Sequence, residues 1–126
     1  MTVAEYLTVT IRRRAGHSVI VLDGELDASN APVLTQHLQR AIAARAIRIV
    51  VDTSRLQFCD LAGIRAFRDA ANRCTAVGGW LRLAAPQRHL AWVLAVTGLL
   101  PALPTYRSVA GAAVATGTER ITADDS

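Results

Sequence analysis

The chain of 126 residues is 52% hydrophobic and carries 14 basic and 10 acidic residues, which gives a formal net charge of +4. This length predicts one domain that can bury a core without disulfides or metals. The most apolar stretch, 90–103, is interrupted by Thr97, Gly98 and Pro101; it falls short of the roughly 18 uninterrupted apolar residues of a membrane span, which excludes membrane insertion.

Hydrophobic periodicity predicts a hairpin, a helix and a buried strand in the first half of the chain. Apolar and polar residues alternate over Leu7–Arg13, and a more apolar run follows at Ser18–Leu22, so we expect a β-hairpin. N-cap residue types at 29–30 and an early proline predict a helix from Pro32 to about Ala44. The apolar run Ile47–Val51 is typical of a central strand covered on both faces.

The second half continues the alternation of helices and strands. After a polar turn, helical spacing predicts a helix from Leu61 to about Ala76, which Gly78 and Gly79 end. The remaining predicted elements are a strand at Trp80–Ala84, a helix at Gln87–Thr97, an irregular segment or short strand at Leu99–Tyr106 and a short helix at Val109–Thr116. This order indicates an α/β fold with helices on a mixed sheet of four to five strands. Residues 1–116 form the domain, and the polar segment 117–126 is expected to be a disordered tail.

The helix that begins at Leu61 starts with an acid and small or apolar residues. Asp60 is expected to cap this helix, whose first turn favours anions through its free amides and its dipole. Helical geometry places the core stripe on one side: Leu61, Ile64, Phe67, Ala71 and Cys74. The opposite side holds Ala62, Ala66, Asp69 and Arg73, flanked by Arg65. That side is either a docking surface or an ordinary solvated face.

Composition and spacing exclude several kinds of site. The arginines are scattered and only 5% of the residues are aromatic, so no base-stacking set for nucleic acid is present. The two cysteines lack metal-ligand spacing, and because no leader is visible we expect a cytoplasmic protein in which they are reduced. Cys74 lies on the core stripe, whereas Cys59 precedes the helix, where the dipole can lower a thiol pKa and permit redox chemistry.

Three carboxylates follow or end predicted strands. Asp27, Asp52 and Asp60 meet at one edge of the sheet in one interpretation and bind Mg²⁺; in the other they only cap turns. The chain has no lysine, no Ser–His–Asp arrangement and no zinc-protease motif. We therefore expect no enzyme activity, no cofactor and no metal.

Four segments in chain order resemble a known family. They are Val19–Asp27, Ile47–Gly63, Gly78–Ala84 and Leu94–Leu100. Together they resemble the STAS domain (sulphate transporter and anti-sigma-factor antagonist domain), and within it the bacterial anti-sigma-factor antagonists. The resemblance covers about 8–116, and its second segment resembles the family's helix start, D-S-[ST]-G.

The resemblance implies a switch protein that binds an anti-sigma factor, itself a small ATP-binding kinase, and so frees a sigma factor. In the family, phosphorylation of the D-S-[ST]-G motif breaks the complex. Asp60 and Gly63 match the motif, Leu61 stands at its first serine, and Ala62 stands at the phospho-acceptor position. The partner-binding residues that the resemblance implies are Asp27, Asp60, Leu61, Ala62, Gly63, Arg65, Ala66 and Asp69.

The missing hydroxyl leaves three interpretations. In the first, the protein binds the anti-sigma factor and is insensitive to its kinase at Ala62. In the second, control has moved to Thr53 or Ser54, to the cysteines, or to a ligand. In the third, the chain is the STAS component of a lipid-transport ABC system or a scaffold of another line. The sequence gives no oligomeric state beyond a monomer or a weak dimer.

Overall fold

A computed structural model of the chain describes residues 2–125. It has six strands, β1 (Thr2–Ala4), β2 (Leu7–Arg14), β3 (His17–Leu26), β4 (Arg48–Cys59), β5 (Trp80–Ala84) and β6 (Thr105–Tyr106), and four α-helices, α1 (Ala31–Ala43), α2 (Leu61–Ala76), α3 (Arg88–Val96) and α4 (Val109–Val114). The strands form one sheet in the order β1-β2-β3-β4-β5-β6. The predicted mixed α/β fold is confirmed, with six strands instead of four to five. Within residues 2–125, no helix is both long enough and apolar enough to cross a bilayer.

Strand pairing changes direction at β3. β1 pairs antiparallel with β2, and β2 with β3, so the predicted hairpin is present. From β3 to β6 the neighbours are parallel, and a helix lies in each connection because parallel strands need a crossover. The carboxyl ends of β3 and β4 lie side by side, so the loops that enter α1 and α2 meet at the same edge of the sheet.

The two faces of the sheet are covered unequally. One face packs against α1, α2 and α3 and forms the main core, in which Phe67 and Leu83 are fully buried. The other face carries a small cluster under α4 that includes Val50 and Tyr106. Burial of apolar area, worth about 25 cal/mol per Å², therefore comes chiefly from the face on which α1 and α2 lie together.

Strand β4 is longer than the sequence predicted. The expected strand was Ile47–Val51 followed by a polar turn, whereas β4 continues to Cys59. Residues 52–59 pair with β3 as far as the pair Leu26 and Cys59, with two register shifts on the way. Pairing with a neighbouring strand holds polar residues in an extended conformation that their own preferences do not indicate.

The burial of α2 differs in part from the predicted stripe. Ile64, Phe67 and Cys74 are buried as predicted, but Leu61 is 56% exposed and Ala66 only 9% exposed. Helix α2 packs against α1 as well as the sheet, so its buried surface is wider than one stripe. Leu61 begins the helix at the edge of the sheet, where the elements of residues 2–125 cover it only in part.

Residues 117–125 were expected to be disordered, but this segment packs against β6. Ile121 N–H donates to the carbonyl oxygen of Thr105 at 2.8 Å, and Arg107 N–H donates to that of Glu119 at 2.9 Å. The expectation rested on polar composition, but Ile121 packs against the main core. One apolar side chain and these backbone hydrogen bonds give the segment a defined path; the last residue lies outside the described part of the chain.

Candidate functional site

The site predicted at the start of α2 lies at the edge of the sheet where β3 and β4 end. Leu26 and Cys59 are paired in the parallel register, and Asp60 N–H donates to the carbonyl oxygen of Leu26 at 3.1 Å. The two strands are thus hydrogen-bonded up to the loops that follow them. Asp27 and Asp60 come directly after the paired residues, so the sheet brings both acids to one edge.

Asp60 caps α2 as predicted. Its backbone is extended, with φ −90° and ψ −174°, and its Oδ1 accepts hydrogen bonds from the N–H groups of Ala62 at 2.9 Å and Gly63 at 3.2 Å. A cap of this kind stabilises a helix by about 1 kcal/mol. These two N–H groups are among the donors that an anion at a helix start would use, so the cap occupies part of the expected anion site.

The first turn of α2 leaves apolar side chains uncovered. Leu61 is 56% exposed, and Phe58, near the end of β4, is 42% exposed. Ala62 is half-buried and packs against the main core. We name Phe58, Leu61 and Ala62 the α2 start surface. Large apolar side chains that stay exposed within a few residues of one another are found at protein contact sites.

Gly63 allows the first turn of α2 to lie close to the ends of the strands. The residue is buried, and a Cβ built on it would lie 2.7 Å from Cys59 Sγ and 2.7 Å from Leu26 Cδ2. Neighbouring side chains must shift to relieve contacts this short, so close packing rather than an unusual backbone angle favours glycine here.

Gly63→Ala is expected to lower the free energy of unfolding by about 1–3 kcal/mol, the usual cost of overpacking a core. Helix propensity acts in the opposite direction, since alanine is favoured over glycine by about 1 kcal/mol in a helix interior. Urea unfolding measures the balance, with Gly117→Ala as the control because a Cβ there meets nothing within 4 Å. Unchanged stability of Gly63→Ala would contradict the packing argument.

Asp27 shapes the loop between β3 and α1. Its Oδ1 accepts hydrogen bonds from the hydroxyl of Ser29 and, at 2.9 Å, from the N–H of Ser29. The hydrogen bond from the Ser29 hydroxyl is the main cause that lowers the pKa of the Asp27 carboxyl. Asp27 therefore carries a negative charge at neutral pH, at the same sheet edge as the α2 start surface.

Asn30 is a residue whose role the sequence analysis missed. It precedes α1, but its side chain makes no cap hydrogen bond. The residue is buried; its Oδ1 accepts from the N–H of Asp27, and its Nδ2 donates to the carbonyl oxygens of Glu5 and Glu25, each at 2.9 Å. Asn30 therefore ties the turn before β2 to the loop that carries Asp27. An N-cap residue type before a helix was the only sequence signal, and it indicated a different role.

Asp52 does not join the other two acids. It lies in the middle of β4, paired with Ala84 of β5, and its Oδ1 accepts from the N–H of Ser54 at 2.9 Å. The structure thus brings Asp27 and Asp60 to one edge but leaves Asp52 away from it. Among residues 2–125, no three His, Cys, Asp or Glu side chains are grouped so that they could hold a metal ion. Asp27 and Asp52 accept hydrogen bonds within their own turns, and Asp60 caps a helix.

Comparison with known proteins identifies the family. The STAS domain family matches residues 8–112. This chain belongs to the STAS-domain family. BtrV of Bordetella bronchiseptica, assigned as an anti-sigma factor antagonist, is 28% identical over 109 residues, which are 86% of this chain and 94% of that protein.

Solved structures share the fold of this STAS domain. An anti-sigma factor antagonist from Mycobacterium paratuberculosis has a TM-score of 0.80 at 22% identity, over 93% of this chain and 99% of that one. The unphosphorylated form of the Bacillus protein SpoIIAA has a TM-score of 0.73 at 22% identity, over 87% of this chain and 97% of that one. At such identities the likeness shows the SpoIIAA-like STAS fold.

Both cysteines of the STAS domain are buried. Cys59 is 5% exposed, and its thiol donates to the carbonyl oxygen of Asp60 at 3.6 Å. Burial, together with the charge of Asp60, raises the pKa of the Cys59 thiol to about 12, and burial also raises the pKa of Cys74. The helix dipole was expected to lower the Cys59 pKa, and this expectation is wrong because burial outweighs it. The reactive thiolate is therefore disfavoured.

Alkylation of Cys59 at pH 8 is expected to be roughly a thousandfold slower in the folded protein than in urea, because its thiolate fraction falls by that factor. The neutral thiol stabilises the fold below about pH 9, and this contribution is lost as the pH rises toward a pKa of about 12. Mass spectrometry of iodoacetamide labelling measures the rates, with Cys74→Ala assigning them to Cys59. Rapid labelling of folded Cys59 would restore the redox hypothesis.

Thr53 and Ser54, the alternative phospho-acceptors, differ in access. Thr53 is fully buried, and its hydroxyl donates to the carbonyl oxygen of Ala84 at 2.8 Å. A kinase cannot reach this hydroxyl in the folded domain. The hypothesis that Thr53 accepts a phosphoryl group is therefore wrong, and Thr53 is a core residue. Ser54 is exposed. Any phosphorylation in this segment of the folded domain therefore falls on Ser54.

The predicted docking face of α2 is only partly exposed. Arg65 and Asp69 are exposed, whereas Ala66 is buried and shares a narrow groove with Leu38 and Ile42 of α1. The prediction that Ala66 forms an exposed edge is wrong because α1 covers that side of the helix. The accessible face of α2 is therefore made by its start surface and its charged side chains.

Proposed function

We propose that this STAS domain is an anti-sigma-factor antagonist, which binds an anti-sigma factor and so releases a sigma factor for transcription in the cytoplasm. The alignment with BtrV over 94% of that protein supports this role. The observation that carries the proposal is the α2 start surface, where Phe58 and Leu61 stay exposed next to the Asp60 cap.

The proposed contact combines an apolar centre with a charged border. Burial of Leu61 and Phe58 against a partner contributes on the order of 1 kcal/mol for each side chain, since both are already half-covered. Asp27, Arg65 and Asp69 supply charges around them, which favour one partner over others and speed association. Gly63 and the Asp60 cap hold the helix start in place. This chemistry is that of a binding protein rather than an enzyme.

We further propose that the partner kinase cannot switch this protein at residue 62. SpoIIAA has been solved in an unphosphorylated and a phosphorylated form, so that protein accepts a phosphoryl group. Phosphoryl transfer needs an attacking oxygen on the acceptor, and the methyl group of Ala62 has none. The complex with the anti-sigma factor is therefore expected to persist in the presence of ATP.

Calorimetric titration with an ATP-binding anti-sigma factor from the same genome tests the proposal. We expect a stable complex of unchanged affinity with or without ATP, and no phosphoprotein by mass spectrometry. Phosphate on Ser54 with release of the partner would show that control has moved there. Failure to bind, together with recovery of an ATPase and a permease from cell extract, would favour the transporter alternative.

A further inference from the structure

We propose that the end of the sheet opposite the α2 start surface binds a compact polyanion that carries two or more phosphoryl groups. A cleft there has a volume of about 480 Å³, which is within the range of small-molecule sites. Its walls come from two places. The end of β2 and the start of β3 bring Arg13, Arg14 and His17, and the loop after α1 with the start of β4 brings Arg45 and Arg48.

The charge of the cleft is uncompensated. Arg13, Arg14, Arg45 and Arg48 line it together, and no Asp or Glu is among its lining residues. None of the four forms a salt bridge with any residue that the structure describes, 2–125. Four guanidinium groups around one cavity repel each other, and a bound anion removes that repulsion and gains charge-assisted hydrogen bonds.

Arg45 occupies a backbone position that favours glycine. Its φ is 66°, in the left-handed region. Helix α1 ends there in a Schellman motif, with Ala46 N–H donating to the carbonyl oxygen of Ala41 at 2.8 Å and Arg45 N–H to that of Ile42 at 3.0 Å. In this motif the left-handed residue is usually glycine.

The end of α2 shows the same motif with the usual residue. Gly79 N–H donates to the carbonyl oxygen of Cys74 at 2.8 Å and Gly78 N–H to that of Thr75 at 3.1 Å, and Gly78, with φ 87°, takes the position equivalent to Arg45. The chain thus keeps an arginine where the fold alone favours glycine, and the side chain of that arginine lines the cleft. Tyr6, Ala85 and Ala115 also have positive φ, so the backbone of Arg45 supports the proposal only together with the four-arginine lining of the cleft.

The lining of the cleft favours phosphoryl groups over nucleobases. It includes no Phe, Tyr or Trp, so it offers no large aromatic face for a base to stack on. Trp80, in a neighbouring hollow, already stacks with Arg82, whose guanidinium carbon lies 3.7 Å from the ring centre. Guanidinium groups bind phosphoryl oxygens in pairs, and several of them match a ligand with more than one such group.

The cleft is distant from the α2 start surface. Arg48 and Cys59 are the first and last residues of β4, so at about 3.3 Å per residue the cleft lies roughly 35 Å from the Asp60 cap. The inference therefore goes beyond the proposed function and does not depend on it. Its ligand is either a soluble polyphosphate or the headgroup of a lipid with two phosphates.

Calorimetric titration with inorganic triphosphate at low salt tests whether the cleft binds a soluble polyphosphate. We expect binding that weakens as salt is added. We also expect Arg45→Gly to bind triphosphate about tenfold more weakly, because it loses one charge-assisted hydrogen bond. Arg45→Gly is expected to melt at the same or a higher temperature, because glycine adopts the left-handed backbone conformation at residue 45 without strain. Unfolding would therefore not explain weaker binding by this variant. Arg68→Ala removes an exposed arginine of α2 outside the cleft and should keep the parent affinity.

Vesicles of phosphatidylcholine with cardiolipin, against phosphatidylcholine alone, test the lipid source. Cardiolipin binding that Arg45→Gly weakens and triphosphate displaces would support the site with a lipid headgroup as its ligand. Triphosphate binding without vesicle binding would support it with a soluble ligand. Absence of binding in both arms, or binding that neither Arg45→Gly nor Arg48→Ala weakens, would overturn the proposal.

Discussion

Ala62→Glu is expected to weaken binding of the anti-sigma factor by about 100-fold or more, because an unpaired carboxylate buried in a contact costs several kcal/mol. Ala62 is half-buried, next to the exposed Leu61, so the exposed part of a longer charged side chain there is expected to lie in the proposed contact. The new charge also lies near Asp60 and Asp27, which already make this edge acidic. Calorimetric titration with the partner measures the loss.

The same substitution is not expected to unfold the domain, which makes the binding result interpretable. Residue 62 is in the first turn of α2, where an acidic side chain is favoured by about 0.3–1 kcal/mol through the helix dipole. Ala76→Glu is the matched control, since it places the same residue at the exposed far end of α2. If Ala62→Glu and Ala76→Glu bind equally well, the contact lies elsewhere on the domain.

Ala62→Ser is expected to introduce a phospho-acceptor, and with it a switch, at the position where the parent protein has alanine. The serine hydroxyl would stand at the start of α2 as an accessible nucleophile, and the partner kinase would transfer a phosphoryl group to it from ATP. The phosphate adds close to two negative charges at the proposed contact. The complex should therefore dissociate when ATP is added, whereas the complex of the parent protein should not.

Two controls separate this effect from a change in affinity. Without ATP, Ala62→Ser should bind the partner as the parent does, because serine is only slightly larger than alanine. With a non-hydrolysable ATP analogue, the complex should persist. Phosphate located by mass spectrometry on the introduced serine, with release of the partner, supports the proposal. An Ala62→Ser protein that stays unphosphorylated beside an active kinase would show that position 62 does not meet the kinase active site.

The short-range features of the site were predictable from the sequence. The Asp60 cap follows from an acid placed before an apolar helical pattern, and its hydrogen bonds reach only three residues along the chain. The buried positions Ile64, Phe67 and Cys74 follow from helical periodicity in the same way. The lack of a phosphoryl acceptor at Ala62 is a matter of covalent chemistry and needs no structure.

Other features depend on which elements pack together. Leu61 is exposed and Ala66 is buried because α1 and the sheet cover α2 unequally, and no pattern within α2 records the position of α1. The raised pKa of Cys59 follows from burial beside Asp60, which outweighs the helix dipole that local sequence suggested.

The sequence by itself therefore determined the order of the elements, the helix cap and the missing hydroxyl, because each depends on residues close together in the chain. The tertiary structure decided which helix-start side chains stay exposed and why close packing favours glycine at Gly63. It also decided that Arg13 and Arg14 meet Arg45 and Arg48. These outcomes depend on strands and loops that are distant in sequence and are brought together only by sheet pairing and burial.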